Sequence, residues 1–355
     1  MQIIRYVSLL VALAFSMALD AGEPIVTQLE NPSSYEDVPW LTYRGSEGPG
    51  KEKHIVLIAA EQEYRSEQSM PMMARILSSH HGFDCTVLFG VNDNGEVDPT
   101  LPVYPEKGKE AEFKEHRIPG LEHLESADLV IFFSRLLTLP KEQQQQIVRY
   151  VDSGKPMIAL RTANHGFRGP LPYKIQGKQV RWGEDVLGGT FLNHHGRWHA
   201  DSTRGILEPK HLQHPILIGV SNIWGDSDVY RTYKEGTGLP EGCTPLVWGQ
   251  PLMGRQPNDL PNEKLDPLPV AWVKQWQTSQ GLSARVFHCT MGSGTDFKND
   301  GLRRLVINAT YWCVGLESAI SATRSVDIVG PYQPLESGFN YDALGVQARP
   351  VSYYR

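Results

Sequence analysis

Apolar positions along this chain change their spacing in a regular alternation. HIVLIAA, His54 to Ala60, is a continuous apolar run of the kind needed by a strand buried on both faces of a parallel sheet. A polar loop, EQEYRSEQ, follows. SMPMMARILSSHHG then places Met70, Met73, Ile76 and Leu77 at helical spacing and stops at Gly82, a glycine C-cap. FDCTVLFG returns to strand. The order repeats with ADLVIFFSR as strand, PKEQQQQIVRYVDSG as a helix opened by Pro140 and closed by Gly154, and KPMIALRT as strand. Strand, helix, strand at these lengths is the βαβ signature, and it predicts an α/β fold with a mostly parallel sheet.

From Phe167 to about Lys274 the pattern shortens. Gly, Pro and Trp punctuate alternating pieces such as GRWHADSTRGILE, SDVYRTYK, TPLVWGQPL and LPVAWV, which read as added antiparallel strands and long loops. ARVFHCTMGSG is a strand entering a glycine-rich turn. GLRRLVINATYWCVGLE is a helix with Leu302, Leu305, Val306, Ala309 and Trp312 on one face. Asn308-Ala309-Thr310 fits the glycosylation pattern but falls within this apolar helix. Residues 22–53 read as an extended lead-in, 54–324 as the α/β domain, and 325–355 as a tail packed on it through its aromatics.

The first residues carry a short basic n-region with Arg5, an apolar core from Tyr6 to Phe15, and small-x-small cleavage positions near Ala18 and Ala21. That is a signal peptide over residues 1–21. Its apolar run is shorter than the ~20 residues a span needs, so an exported, periplasmic or extracellular protein is expected. The remaining composition is ordinary for a globular chain: 355 residues, 40% hydrophobic, 21% charged. A net charge of -6 with no Lys/Arg block gives nucleic-acid binding no electrostatic support, and a small-molecule or oligosaccharide substrate fits better. Cys85, Cys243, Cys289 and Cys313 are far apart without a C-x-x-C pair, which argues against zinc-ribbon or thioredoxin chemistry and favours buried free thiols.

In an open α/β sheet, ligands bind beyond the carboxyl ends of the parallel strands. The residues expected there are Glu61, Arg135, Arg161, Thr162, Asn164, His165 and His288. The acids and imidazoles are candidates for proton transfer, and the guanidiniums for holding oxygen atoms. A second group is LNHHGRWHADST. If its alternation makes a strand, His195, Arg197 and His199 share one face and His194 the other. His195 and His199 are then candidate ligands of a divalent metal, or acid/base and hydrogen-bonding groups, or scaffold. In HCTMGSGTDF, Gly292-Ser293-Gly294 can turn N–H groups into one concavity that Asp296 faces.

These stretches carry a resemblance. The RTANHGF junction, with ADLVIFFSRLLTLP before it and GGTFLNHHG, HPILIGV, LPVAWV and RVFHCTMGSGTDF after it, resembles the ThuA-like family, named for trehalose utilisation. The long HHGRWHADSTRG segment looks like an exported, planctomycete-type subgroup. The resemblance implies a three-layer, flavodoxin-like or class I glutamine amidotransferase-like fold and a sugar substrate. In the amidotransferases the corresponding elbow presents a cysteine; here it reads Arg161-Thr162-Ala163-Asn164-His165, so a thiolate mechanism lacks its nucleophile.

The function these readings favour is an exported carbohydrate-processing enzyme acting on a sugar or keto sugar. Glu61, His165, His195 and His288 would transfer protons, and Arg135, Arg161, Thr162, Asn164, Arg197 and Asp296 would bind substrate. Trp182, Trp198, Trp224 and Tyr230 could give a stacking wall. The alternatives are a non-catalytic sugar-binding protein on the same scaffold, or a metal-dependent hydrolase built on His194, His195 and His199.

Overall fold

A computed structural model describes residues 38–104, 115–236 and 238–355. The expected signal peptide and cleavage site fall on residues outside those described. Trp40–Tyr43 (β1) stands within the segment read as a lead-in. His54–Ala60 (β2), Ser66–His81 (α1) and Asp84–Phe89 (β3) follow, then Leu129–Ser134 (β4), Lys141–Val151 (α2) and Met157–Leu160 (β5). The middle of the chain forms Lys174–Ile175 (β6), Lys178–Gln179 (β7), Asn193–His194 (β8), Ser202–Leu207 (β9), Trp224–Gly225 (β10) and Tyr230–Arg231 (β11). Cys243–Leu252 (β12), Leu268–Gln277 (β13), Ser283–Cys289 (β14), Asp300–Cys313 (α3) and Tyr341–Leu344 (α4) complete it.

Ten strands make the main sheet in the order β1-β3-β2-β4-β5-β14-β13-β12-β9-β10. Its parallel part is β3-β2-β4-β5-β14. Numbered by their own succession, these five strands run 2-1-3-4-5, the flavodoxin-like order with its crevice between the first and third. β13, β12 and β9 extend the sheet antiparallel beyond β14, as the shortened pattern of the middle segment implied.

Alternate residues of each parallel strand enter two cores. Ile55, Leu57, Ile131, Ile158 and Phe287 meet α1 and α3 on one face. Val56, Ile58, Val130, Phe132 and Val286 meet α2 and the 182–187 turn on the other, which makes three layers. α1 stops where Gly82 takes the left-handed conformation (φ 82°) and its N–H reaches the carbonyls of Leu77 and Ser78. Asn308 is buried in α3 and donates to the carbonyls of Ile216 and Ile218, so it is not presented for glycosylation. Cys85, Cys289 and Cys313 are buried free thiols, and Cys243 is free and half-buried.

The tail crosses the carboxyl-end face of the sheet. Val97 and Arg349 exchange backbone hydrogen bonds, and Gly338 N donates to Glu63 O.

Candidate functional site

The junction after β5 is a short turn, Arg161–His165, in which Arg161 takes φ 45°. A left-handed arginine is costly, so surrounding contacts must fix it. Its side chain is wholly buried. Nη1 donates to the carbonyls of Asp228 (2.6 Å) and Thr290 (2.7 Å), and Nη2 to Asp228 Oδ1 (2.9 Å) and Tyr64 Oη (3.1 Å). The guanidinium carbon lies 3.7 Å from the Tyr230 ring centroid and 4.5 Å from that of Tyr64. Arg161 is therefore held inside the protein, contrary to the expectation that it meets substrate directly.

Its work passes through Asp228. The other carboxylate oxygen, Oδ2, accepts from His194 Nδ1 at 2.7 Å. Burial alone would raise the Asp228 carboxyl, but the Arg161 charge and the His194 hydrogen bond outweigh it and hold the group below its ordinary range. The sequence brings these groups together by pairing β8 with β11, which sets His194 opposite Tyr230, two residues after Asp228. A carboxylate on Nδ1–H leaves the lone pair on Nε2 of a ring that is 30% exposed.

Further polar groups stand around this imidazole. Glu63 Oε1 accepts from Trp198 Nε1 (2.8 Å) and lies 3.3 Å from His199 Nε2, while Oε2 lies 3.5 Å from Arg135 Nε. Burial works to raise Glu63, yet His199, Arg135, Trp198 and Tyr64 together hold it low, so it is ionised near neutrality. His165 is half-buried and its Nδ1 donates to Asn164 Oδ1 (2.7 Å). Burial, followed by the Arg135 and Arg161 charges, drives His165 well below the ordinary imidazole range; it is neutral, with a lone pair on Nε2. His165 and His194 each lie 5.0 Å from the Phe191 ring.

Of the residues expected at the strand ends, the structure assembles Arg135 and His165 with His194 and His199 and moves the others away. Glu61 is buried, and its carboxylate accepts the N–H groups of Glu63, Tyr64 and Ser66, which shapes the loop entering α1. Those three bonds correct its catalytic assignment. His288 is enclosed in the sheet, where Nδ1 donates to Ala159 O and the ring meets Trp272 edge-on. Burial lowers it to about 4, so it is neutral inside the sheet. Thr162 and Asn164 are buried too; Asn164 acts by fixing His165. Asp296 accepts the N–H groups of Ser227, Gly292 and Ser293 and the Ser227 hydroxyl, so the N–H groups of the glycine turn close on a carboxylate of the protein.

The histidine segment is no strand beyond His194. Gly196 (φ 136°) and His199 (φ 54°) turn it, and the shared face of His195, Arg197 and His199 is lost. His195 Nε2 donates to Asp266 O, Arg197 forks onto Asp201, and His199 goes to Glu63. The proposed metal pair His195 and His199 therefore diverges, and Arg197 is tied by its own carboxylate. Among the described residues no three His, Cys, Asp or Glu side chains are grouped as metal ligands. Of the expected stacking wall, Trp198 is exposed at the site. Trp182 packs on Phe132 and Phe167, and Tyr230 is buried beneath.

Glu63, Tyr64 and Asp228 carry no signal in the sequence that marks them for the site. Glu63 is two residues beyond Glu61, and no spacing rule separates the two acids. Asp228 is 34 residues from His194, and only the pairing of β8 with β11 unites them. A groove of about 500 Å³ elsewhere, lined by Arg181, Asp185, Tyr233 and Lys274 among others, contains none of these groups.

The model of the family described as ThuA, trehalose utilisation, matches residues 98–313, more than half of the chain. Two solved structures described as thua-like proteins are similar to it. That from Bacteroides uniformis is 14% identical, with a TM-score of 0.46, covering 76% of this chain and 95% of its own. That from Parabacteroides merdae is 14% identical, with a TM-score of 0.43, covering 86% of this chain and 100% of its own. No curated protein matches the sequence.

Proposed function

From the premise that this chain belongs to the ThuA family, the family of trehalose utilisation, we propose that it is a carbohydrate-processing enzyme that moves a proton on a keto sugar. The observation that carries the reading is the Arg161–Asp228–His194 chain, which fixes the tautomer of one half-exposed imidazole beside an arginine and a second, neutral imidazole. Such an oriented base needs no thiol.

In this reading His194 Nε2 takes the proton from a hydroxyl-bearing carbon next to the keto group. The C–H electron pair moves into the C–C bond and the carbonyl electrons move to oxygen, giving an enediolate. Arg135, whose Nε pairs with Glu63 Oε2, holds that oxyanion through the N–H groups this ion pair leaves over. The imidazolium then returns the proton to carbon. If it returns it to the neighbouring carbon, His165 Nε2 passes the hydroxyl proton between the two oxygens and the keto group shifts by one position. No oxidant or reductant is required. Export by the N-terminal apolar segment is part of the same proposal and is tested by the mass of the mature chain.

The decisive experiment incubates the protein in D2O with glucose, trehalose and their 3-keto forms and follows deuterium at the carbons flanking the keto group by NMR. Label entering the keto sugars, and lost in His194→Gln, is the expected result. Binding of sugar by the parent protein with no label overturns the enzyme and leaves a sugar-binding protein.

A further inference from the structure

On the outer side of Glu63 stand two open aromatic rings. Trp198 is 45% exposed and Phe339 37%, and their centroids are 6.1 Å apart at 38°. Single exposed apolar side chains are ordinary, but a pair beside an ionised carboxylate and an oriented imidazole is not. Both rings are held in place. Trp198 Nε1 is fixed by Glu63, and its ring lies 5.8 Å from that of His194. Phe339 is placed by the residue before it: Gly338 N donates to Glu63 O (2.9 Å), and Gly338 O accepts from Arg65 Nη2 (3.2 Å). The Arg135 guanidinium carbon lies 4.9 Å from the Phe339 centroid. Thus the tail, which begins after the residues matched by the family model, ends one wall of the site.

We propose that Trp198 and Phe339 form a second subsite that takes a neighbouring sugar ring, so that the site selects a disaccharide or other glycoside over a free monosaccharide. The inference rests on the carbohydrate reading above and names its substrate more narrowly. A pyranose offers a C–H face to aromatic rings and a hydroxyl edge to polar groups, and here the rings adjoin Glu63 as acceptor and Arg135 as donor. Phe339 is then the specificity-determining residue, because the tail supplies it and its ring stands open beside Trp198.

The test uses the full chain. Calorimetric titration with glucose, trehalose and maltose, and turnover of their 3-keto forms, are compared for the parent, Phe339→Ala and Phe339→Tyr. The parent should prefer the disaccharides. Phe339→Ala should raise the disaccharide KM roughly three- to tenfold, with the loss mainly in KM and not in kcat, and Phe339→Tyr should restore it. An unchanged melting temperature in the alanine variant separates the effect from folding. A parent that treats glucose and disaccharides alike, or an alanine variant that keeps the preference, overturns the subsite while the carbohydrate reading stands. A parent that binds no sugar of either size overturns both.

Discussion

Replacing Asp228 by Asn tests the link between the buried arginine and the exposed imidazole. The change keeps the shape and removes the charge, but an amide has one oxygen where the carboxylate used two. If its NH2 faces Arg161, two donors meet in a buried space. If it faces His194 Nδ1, the ring must adopt the tautomer with hydrogen on Nε2, which cannot accept a proton. Removing one member of a buried ion pair costs about 3–5 kcal/mol. Arg161 keeps the carbonyls of Asp228 and Thr290 and its two tyrosine rings, so the lower end, about 3 kcal/mol, is expected. With an unfolding entropy of about 2.1 cal/mol/K per residue over roughly 300 residues, that lowers Tm by about 5 °C. Deuterium exchange into a keto sugar should fall much further, on the order of a thousandfold or more, because the base is lost and not merely loosened. Scanning calorimetry, the exchange rate and the 15N shifts of His194 read the three effects. A variant with the parent's melting temperature and undiminished exchange would falsify the relay.

Two other predictions concern buried groups. Glu67 is buried with Oε2 lacking a hydrogen-bond partner among the described residues; burial, with the Glu61 charge adding to it, raises its carboxyl to about 7 against Arg65. Since the folded value exceeds the unfolded one, the native state holds the extra proton between about 4.5 and 7, and its stability falls as pH rises through that window, by at most about 3 kcal/mol. Glu67→Gln should therefore gain on the parent in urea unfolding at pH 8 and not at pH 4; an equal difference at both refutes this. The neutral histidines His81, His116 and His288, lowered to about 4, act in the opposite sense but are shared by both proteins. Native protein treated with a disulfide reagent should react only at Cys243 and keep its function, because burial raises all four thiols, Cys289 to about 12, but only Cys243 is partly open to the reagent; loss of function in step with Cys289 modification overturns it.

The sheet was legible because its evidence is local. HIVLIAA, LVIFFS and the helix ended by Gly82 each declare themselves within a few residues, and short connections then restrict the order. The site was legible in part. The rule that ligands meet strand ends found Arg135 and His165, but it cannot say which strand-end side chain turns outward. At Arg161 the answer depends on a left-handed backbone that no sequence rule assigns to arginine, and at Glu61 on three N–H groups of its own loop. Alternation after His194 promised a strand, and it failed at Gly196 and His199, where positive φ angles break the period. Partners far apart in sequence, such as Asp228 with His194 or Phe339 with Trp198, leave no periodic trace.

The placement of Arg161 bears on how this part of the molecule opens. One guanidinium ties the loop after β2 through Tyr64, the loop before β11 through Asp228, and the end of β14 through Thr290, while its own backbone sits in a conformation that relaxes once those ties are cut. The segment carrying Asp228 cannot detach without leaving a buried cation unpaired, and the loss of either other segment takes a hydrogen-bond acceptor from that cation. They form a single cooperative unit, in which local fraying is suppressed and opening, when it comes, involves them all at once. The imidazole of His194 thereby inherits the rigidity of the sheet although it stands on a two-residue strand at the surface.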